Sequence, residues 1–215
     1  MRSLATTFTV LSLVVQLRAS EVASAIGGRL IGDDVLINGV HFDSRADIQR
    51  CMFVAIRAER NGHDFVPDAF SRGASCALVS EDVDDVAGSL IVVDDTMQAF
   101  SDLATHVRSQ QLSDVAVVGV TGSVGKTSTK NLIAGALSST AVWASPKSFN
   151  NEQGVPFTLI NTPSGARTVV VEMGMRGFGE ITHLCDVASP TIGVVTRVGQ
   201  AHTARLGGIE GVAKA

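Results

Sequence analysis

The 215-residue sequence lacks what several functional classes require. Its three cysteines, Cys51, Cys76 and Cys185, are far apart and without metal-ligand spacing, which indicates reduced thiols in a cytoplasmic protein. The net charge is −4 and there is no cluster of basic residues, which argues against a nucleic-acid partner. An anionic ligand would therefore have to be bound by local groups. There is also no internal repeat and no low-complexity tract.

An apolar run of comfortable membrane-spanning length is also missing. The N-terminal stretch LATTFTVLSLVVQL could be the apolar part of a secretory signal, a strand, or an extension from a misassigned start codon. The RASEVASA that follows it is a poor cleavage site. We therefore interpret residues 1–19 as an apolar N-terminal extension of a cytoplasmic protein with no stable membrane insertion.

The hydrophobic pattern predicts an α/β fold in two units. In residues 20–110, short apolar strands alternate with helical segments, of which Thr96–Arg108 is the longest and has Thr96 as its expected N-cap. Residues 111–215 begin with a continuous apolar run at 115–120, then alternate helices and strands, which predicts a mostly parallel sheet. A helix that starts near the end of the chain, with nothing after it, indicates a fragment of a longer protein.

A glycine-rich segment, VAVVGVTGSVGKTSTKNL, joins the first strand of the second unit to a helix. Gly122 and Gly125 let backbone N–H groups point inward, and the helix N-terminus favours an anion. Lys126 would reach the outer phosphates, and the Thr127 hydroxyl would reach Mg²⁺. Val120 stands where the strict phosphate-loop pattern has glycine, so an ordinary glycine turn that contains a lysine is the alternative. The remaining candidates for phosphate binding are Thr121, Ser123 and Ser128.

Two later strands should bring polar side chains to the same edge of the sheet. TVVVEM reaches Glu172, whose burial is costly unless it is paired or binds a metal. TIGVVT is followed by His202, a candidate for a second metal or a phosphate. A solvated carboxylate and a surface histidine are the alternatives. Asn150 and Asn151 could bind nucleotide or substrate through their amides, or could simply form a turn.

Taken together, GVTGSVGKTSTK, SFNNEQGVPFTL, VVVEMGMRGFGEI and GVVTRVGQAH resemble the central domain of the Mur ligases in order and spacing. FDSR and FVAIRAERNGHDF are similar to the N-terminal, UDP-binding domain of that family. The resemblance runs from about residue 20 to the end. It implies an N-terminal UDP-sugar-binding domain at 20–110, an incomplete central ATP-binding domain at 111–215 and an absent C-terminal domain.

The resemblance also implies roles for single residues. Lys126, Glu172 and His202 match catalytic positions, and Thr127, Glu172 and His202 match metal positions. The nucleotide contacts would be Thr121, Gly122, Ser123, Gly125, Lys126, Thr127, Ser128 and Asn151, and the UDP-sugar contacts would be Asp43, Ser44, Arg45 and His63. Arg197 departs from the usual asparagine, Ala204 from a usual glutamate, Ala58 from a usual glycine and Asn61 from a usual aspartate. Lys214, or a lysine beyond residue 215, could be the family's carbamylated lysine.

The implied activity is that of an ATP-dependent carboxylate–amine ligase with ATP and Mg²⁺ as cofactors. The motif forms are most similar to those of the Mur ligase that joins D-alanyl-D-alanine to UDP-N-acetylmuramoyl-tripeptide through an acyl phosphate. We expect a monomer, and a fragment that is inactive by itself. The alternatives are the sister ligase that adds the third stem residue, folylpolyglutamate synthase, a nucleotide-binding module without catalysis, and a secreted protein.

Overall fold

The computed structural model describes residues 14, 16–81, 83–84, 86–200 and 203–215. Within these, each half of the chain contains one larger sheet with helices packed on it. The expected α/β fold, with a small N-terminal unit followed by a unit with a parallel sheet, is confirmed. Of the N-terminal extension, residues 1–13 and 15 lie outside the described part.

The first half contains seven strands, three helices and a 3₁₀ turn among its described residues. The strands are β1 Gln16–Arg18, β2 Arg29–Ile31, β3 Leu36–Asn38, β4 Val40–His41, β5 Met52–Val54, β6 Cys76–Val79 and β7 Ser89–Val92. The helices are α1 Ala19–Ala25, α2 Val66–Ser71 and α3 Thr96–Gln110, and the 3₁₀ turn is Gly62–Phe65.

The second half alternates strands and helices. The strands are β8 Ala116–Thr121, β9 Val142–Ala144, β10 Thr168–Glu172 and β11 Ile192–Val195. The helices are α4 Lys126–Ala136, α5 Gly154–Ile160, α6 Glu180–Ala188, α7 Thr203–Leu206 and α8 Ile209–Lys214.

The sheet of the first half has the order β2-β7-β6-β5-β4. All its neighbours are parallel except β2, which pairs antiparallel with β7. A separate antiparallel pair is formed by β1 and β3. The alternating apolar residues from Val35 to Phe42 predict a single strand, but this stretch divides between two sheets. Gly39 lies between β3 and β4 with φ +83°, a left-handed conformation that glycine adopts without strain and that interrupts a strand.

The sheet of the second half is entirely parallel, with the order β11-β8-β10-β9. The central strands β8 and β10 are almost completely buried, which agrees with their continuous apolar sequences. Their register pairs Glu172 with Val120. The carboxylate therefore emerges at the same edge of the sheet as the loop that follows Thr121.

Helix α3 connects the two halves by packing. It lies against α5 and α6 of the second half, and their side chains share one buried cluster. The guanidinium of Arg108 is buried and donates to the backbone oxygens of Ala188 and Ser189. The polar connector after α3 therefore does not separate two independent cores.

The N-cap of α3 differs from the expected one. Asp95, not Thr96, accepts hydrogen bonds from the N–H groups of Met97 and Gln98, because its side chain stands one residue before the first helical turn. Thr96 is buried and donates to the Ala55 carbonyl. In the described part of the chain, α3 is the longest helix at 15 residues, and no helix there is long and apolar enough to cross a bilayer.

Candidate functional site

The loop between β8 and α4 has the backbone geometry of an anion-binding turn. Gly122 has φ +134° and Gly125 has φ +85°, conformations that side-chain-bearing residues rarely adopt. A Cβ atom at Gly122 would also overlap Thr196 Oγ1. Gly125 caps α4 without a side-chain hydrogen bond, so the N–H groups of the first helical turn have no capping side chain and are available to an anion.

The segment after β11 supports this loop from one side. Ser123 N donates to the Arg197 carbonyl over 2.8 Å, and Gly199 N donates to Ser123 Oγ over 2.9 Å. Thr196 Oγ1 donates to the Val124 carbonyl over 2.7 Å. These bonds fix a cradle conformation although Val120 breaks the strict phosphate-loop pattern. Arg197 contributes to it through its backbone oxygen, while its side chain is exposed.

Lys126 and Thr127 occupy the first turn of α4. The ammonium of Lys126 donates to the Gly122 carbonyl over 2.7 Å, so the side chain lies back across the loop. Thr127 Oγ1 donates to Glu172 Oε1 over 3.1 Å. The hydroxyl and the carboxylate that the sequence predicted to share one cation are therefore in direct contact.

Glu172 is the most deeply buried acidic side chain of the site, at 1% exposure. Its Oε1 also accepts from Asn150 Nδ2 over 2.9 Å. Its Oε2 has no hydrogen-bond partner among the described residues and is 3.5 Å from Lys130 Nζ. The alternative of a solvated strand-end carboxylate is therefore wrong, since burial at the end of β10 keeps this side chain away from water.

The geometry fits a magnesium ion. Two neighbouring ligands of an octahedral Mg²⁺, each about 2.0–2.1 Å from the metal, stand about 3 Å apart, close to the 3.1 Å between Thr127 Oγ1 and Glu172 Oε1. Glu172 Oε2, a buried oxygen without a hydrogen bond, adds an available ligand atom. In the described residues, no group of three or more His, Cys, Asp or Glu side chains is placed so that it could hold a metal ion. This is compatible with Mg²⁺, which is usually bound by one or two carboxylates, water and phosphate oxygens.

A cavity of about 390 Å³ opens over these groups. Its lining is Ser123, Val124, Gly125, Lys126, Thr127, Ser128, Ser148, Asn150 and Glu172. A second cavity of about 690 Å³ shares Lys126, Ser148 and Asn150 with it and extends to Phe42 of the first half. Asn151 lines this second cavity but not the first, and its Oδ1 accepts from Gly154 N at the start of α5. Asn150, rather than Asn151, contacts the carboxylate.

A third cavity, of about 800 Å³, lies in the first half and is lined by Asp43, Ser44 and Arg45. Arg45 donates to both carboxylate oxygens of Asp43, over 2.8 and 2.9 Å. The side-chain hydrogen bonds from Arg45 lower the pKa of Asp43 to about 2. Phe42 and Gln153 line both this cavity and the second one, so the two open onto a shared boundary.

His63 is not brought together with those three residues. It is 4% exposed and is not part of the cavity lining. Its Nε2 accepts from Ser80 N over 2.8 Å, so the proton is on Nδ1, which lies 2.8 Å from Asn61 Oδ1. Burial lowers the pKa of His63, which favours this neutral form. The side chain supports the loop at the cavity from behind.

Sequence reasoning missed Lys130 and Ser145 and gave Asn150 less weight than its neighbour. Lys130 follows Thr127 by three residues on α4 and therefore shares its helix face, a signal that was available in the sequence. The contact of Ser145 Oγ with Glu172 N, over 3.0 Å, depends on tertiary packing. His202 lies outside the described residues.

The second half has the arrangement of a P-loop domain: a buried parallel strand, a glycine loop, a Lys-Thr pair at a helix start, and a neighbouring strand that ends in Glu172. Residues 120–215 match the family model described as the Mur ligase middle domain. The chain belongs to the Mur ligase family, which confirms the resemblance seen in the sequence.

Similarity extends over most of the chain. The curated UDP-N-acetylmuramoyl-tripeptide–D-alanyl-D-alanine ligase of Synechocystis sp. is 39% identical over 189 residues, which are 86% of this chain and 41% of that protein. The crystal structure of MurF from Acinetobacter baumannii superposes with a TM-score of 0.86 at 27% identity, covering 94% of this chain and 46% of that one. The structure of MurF from Thermotoga maritima in complex with ADP superposes with a TM-score of 0.71 at 30% identity. The match covers 81% of this chain and 41% of that one. The chain thus spans less than half the length of these relatives.

Proposed function

We propose that this chain provides the nucleotide-binding and UDP-sugar-binding parts of an ATP-dependent ligase. The reaction is the joining of D-alanyl-D-alanine to UDP-N-acetylmuramoyl-tripeptide in peptidoglycan precursor synthesis. The observation that carries the proposal is the 3.1 Å contact of Thr127 with Glu172 at the mouth of the phosphate loop. The ligand assignment is supported by relatives that bear this enzyme name and by the relative that was crystallised with ADP.

In this proposal the backbone N–H groups of the loop and the start of α4 bind the ATP phosphates. The residues concerned are Thr121, Gly122, Ser123, Gly125, Lys126, Thr127 and Ser128. Lys126 exchanges its bond to the Gly122 carbonyl for a phosphate oxygen. Thr127 and Glu172 hold Mg²⁺, which neutralises phosphate charge when bound. Asn151, at the neighbouring cavity, contributes to nucleotide binding, and His202 is a further metal ligand by family resemblance.

The cavity at Asp43, Ser44 and Arg45 takes the UDP-sugar portion of the second substrate. The tripeptide then runs past Phe42 and Gln153, which line both cavities, toward Lys126. This path places the terminal carboxylate of the tripeptide near the outer phosphates of ATP. His63 contributes by holding the loop beside the cavity.

The chemistry follows from the weak electrophilicity of a carboxylate. The γ-phosphoryl group of ATP passes to the tripeptide carboxylate, which gives an acyl phosphate and ADP. The amine of D-alanyl-D-alanine then attacks the acyl carbon, an amide bond forms, and phosphate and a proton leave. The chain's own residues align the carboxylate with the phosphoryl group and offset negative charge, which is the main contribution of proteins to phosphoryl transfer.

The proposal extends to the setting of the enzyme. The protein acts in the cytoplasm as a monomer, without nucleic acid and without stable membrane insertion. Residues 20–110 serve as the UDP-sugar-binding domain and residues 111–215 as the ATP-binding domain.

Calorimetry on the 215-residue chain tests the two binding functions separately. We expect ATP to bind in a Mg²⁺-dependent manner, and UDP-N-acetylmuramoyl-tripeptide to bind without Mg²⁺. Lys126→Ala should weaken ATP binding by roughly 10–100-fold, because a charged hydrogen bond to phosphate is lost, and leave the UDP-sugar peptide unaffected. Lys147→Ala, which removes an exposed lysine, is the matched control. No ATP binding, or equal binding by both variants, would refute the proposal.

Turnover is tested in a protein that carries these residues and extends to the length of the relatives. Phosphate release should require UDP-N-acetylmuramoyl-tripeptide and D-alanyl-D-alanine together. Release with UDP-N-acetylmuramoyl-dipeptide and a single amino acid would assign the sister reaction instead. ATP binding without any turnover would reduce the function to a nucleotide-binding module.

A further inference from the structure

A buried lysine that has no role in the proposed reaction lies directly beneath the proposed metal site. Lys130 is 2% exposed, and its Nζ is 3.5 Å from Oε2 of Glu172, which is 1% exposed. Helix α4 places Lys130 about one turn after Thr127, so both side chains face β10. Lys130 does not line the cavity, and its ammonium is directed at Glu172 and at two backbone carbonyls.

The ammonium of Lys130 connects three parts of the fold. It donates to the Ser145 carbonyl over 2.8 Å and to the Lys147 carbonyl. These carbonyls belong to the segment that follows β9 and carries Ser148 and Asn150 to the cavity. The third direction of the ammonium faces the carboxylate of Glu172. A single side chain thereby fixes α4, the segment 145–150 and the end of β10 relative to one another.

The two oxygens of Glu172 are treated differently by this arrangement. Oε1 is occupied by hydrogen bonds from Thr127 and Asn150. Oε2 faces Lys130 at 3.5 Å without a hydrogen bond. A buried carboxylate needs a compensating charge, and Lys130 supplies it beside Oε2 while Oε1 stays in contact with Thr127. The lysine therefore orients the carboxylate so that Oε1, the oxygen 3.1 Å from Thr127 Oγ1, is the one offered to a cation.

We propose that Lys130 is a positioning residue that sets the Mg²⁺ affinity of the Thr127–Glu172 pair. It acts through Glu172 and through the Asn150 segment, and it contacts neither nucleotide nor metal. The inference rests on the proposed function, because it presupposes that nucleotide binds here together with Mg²⁺. Residues that orient a metal ligand from behind typically change metal affinity by about 10–100-fold.

The test is a Mg²⁺ titration of ADP binding to the 215-residue chain, with tryptophan fluorescence and circular dichroism to confirm folding. For Lys130→Met we expect the Mg²⁺ concentration at half-effect to rise by about 10–100-fold. Affinity for ADP without Mg²⁺ should stay within about twofold, since the phosphate-binding amides are untouched. Lys147→Met makes the same chemical change at an exposed site of the adjacent segment, and should titrate like the wild type.

Removal of Lys130 leaves Glu172 buried without its counter-charge, and the methionine variant can therefore unfold. Lys130→Gln keeps a donor for the segment 145–147 but removes the charge, and it then carries the same test with the same expected loss. Unchanged or tighter Mg²⁺ binding in either folded variant would overturn the proposal, because a lysine that only stabilises the fold, or that repels the cation, gives that result. Failure of both variants to fold would assign Lys130 to stability alone, and this result would also overturn the proposal. Wild-type protein that binds no nucleotide would instead refute the proposed function.

Discussion

The two ligand-sized sites of this molecule are built in contrasting ways. At the phosphate loop, the charged groups Lys130 and Glu172 are buried and joined to neighbouring segments by short polar contacts. At the first-half cavity, the corresponding charge pair is on the surface, with side-chain exposures of 79% for Arg45 and 39% for Asp43. The phosphate site is therefore preorganised by the fold, whereas the other site leaves its charged side chains free to adjust to a ligand.

The difference has its origin in the strands that carry each site. The phosphate loop leaves β8, a six-residue strand at the middle of a parallel sheet, and Glu172 ends its neighbour β10. Asp43 follows β4, a two-residue strand at the edge of the other sheet. Long central strands fix the direction of the chain where they end, while a short edge strand leaves a loop that relies on local hydrogen bonds.

The largest effect of a single substitution is expected at Gly122 of the phosphate loop. Gly122→Ala forces a Cβ against Thr196 and a side chain into φ +134°. We expect the loop amides to shift, ATP affinity to fall by about 100-fold or more, and the free energy of unfolding to fall by about 2–4 kcal/mol. Calorimetry and urea unfolding measure both effects.

The control is Gly135→Ala, in the exposed last part of α4 where no atom meets a new Cβ. It should bind ATP normally and be more stable by up to about 1 kcal/mol, because alanine favours helix. If Gly122→Ala bound ATP like this control, the backbone cradle would not be the phosphate site.

A smaller effect is expected at the first-half cavity, where the charged side chains are exposed. Arg45→Ala should weaken the binding of UDP-N-acetylmuramoyl-tripeptide by about tenfold, because one charged contact is lost. The affinity for ATP should not change. Stability should hardly change, since exposed ion pairs contribute about 0–1 kcal/mol. Arg29→Ala, on β2 at the opposite edge of the same sheet, is the control. A stability loss as large as that of Gly122→Ala would mean that this site is as preorganised as the other.

The smallest effect concerns the pH dependence of the loop behind that cavity. Burial lowers the pKa of His63 below the ordinary 6.5, so the unfolded chain binds the proton more tightly than the folded one. Stability from this group is present above pH 6.5 and decreases as the pH falls from there toward the folded pKa. His63→Gln should flatten the decrease between pH 7 and 5 in urea unfolding. An unchanged pH slope would show that His63 titrates normally and that its two hydrogen bonds do not hold it neutral.

Much of the phosphate site was predictable from the sequence because its signals are local and its strands are regular. The apolar run before Thr121 and the order Gly, Lys-Thr, helix predicted the loop, and the carboxylate after an apolar strand predicted Glu172 at its side. The roles of Lys130 and Asn150 were not predictable to the same degree. Their contacts depend on how the segment 145–150 crosses α4, and nothing in the local sequence specifies that crossing.

The first half of the chain shows more clearly which features could not be predicted from the sequence. Asp43, Ser44 and Arg45 line one cavity, and their role as UDP-sugar contacts stays a proposal. His63 was expected beside them, but it is buried. Both of its ring nitrogens are occupied by neighbouring backbone and amide groups. The division of residues 35–42 at Gly39 and the cap at Asp95 depend on backbone conformation and on which side chain reaches the first turn, which hydrophobic periodicity does not report.

A crystal structure of this chain with ADP and Mg²⁺ would show whether Thr127 and Glu172 share one cation. We expect one metal ion within about 2.0–2.1 Å of both Thr127 Oγ1 and a carboxylate oxygen of Glu172, and in contact with a nucleotide phosphate. A metal bound to the phosphates with Glu172 still directed toward Thr127, Asn150 and Lys130 alone would contradict this expectation.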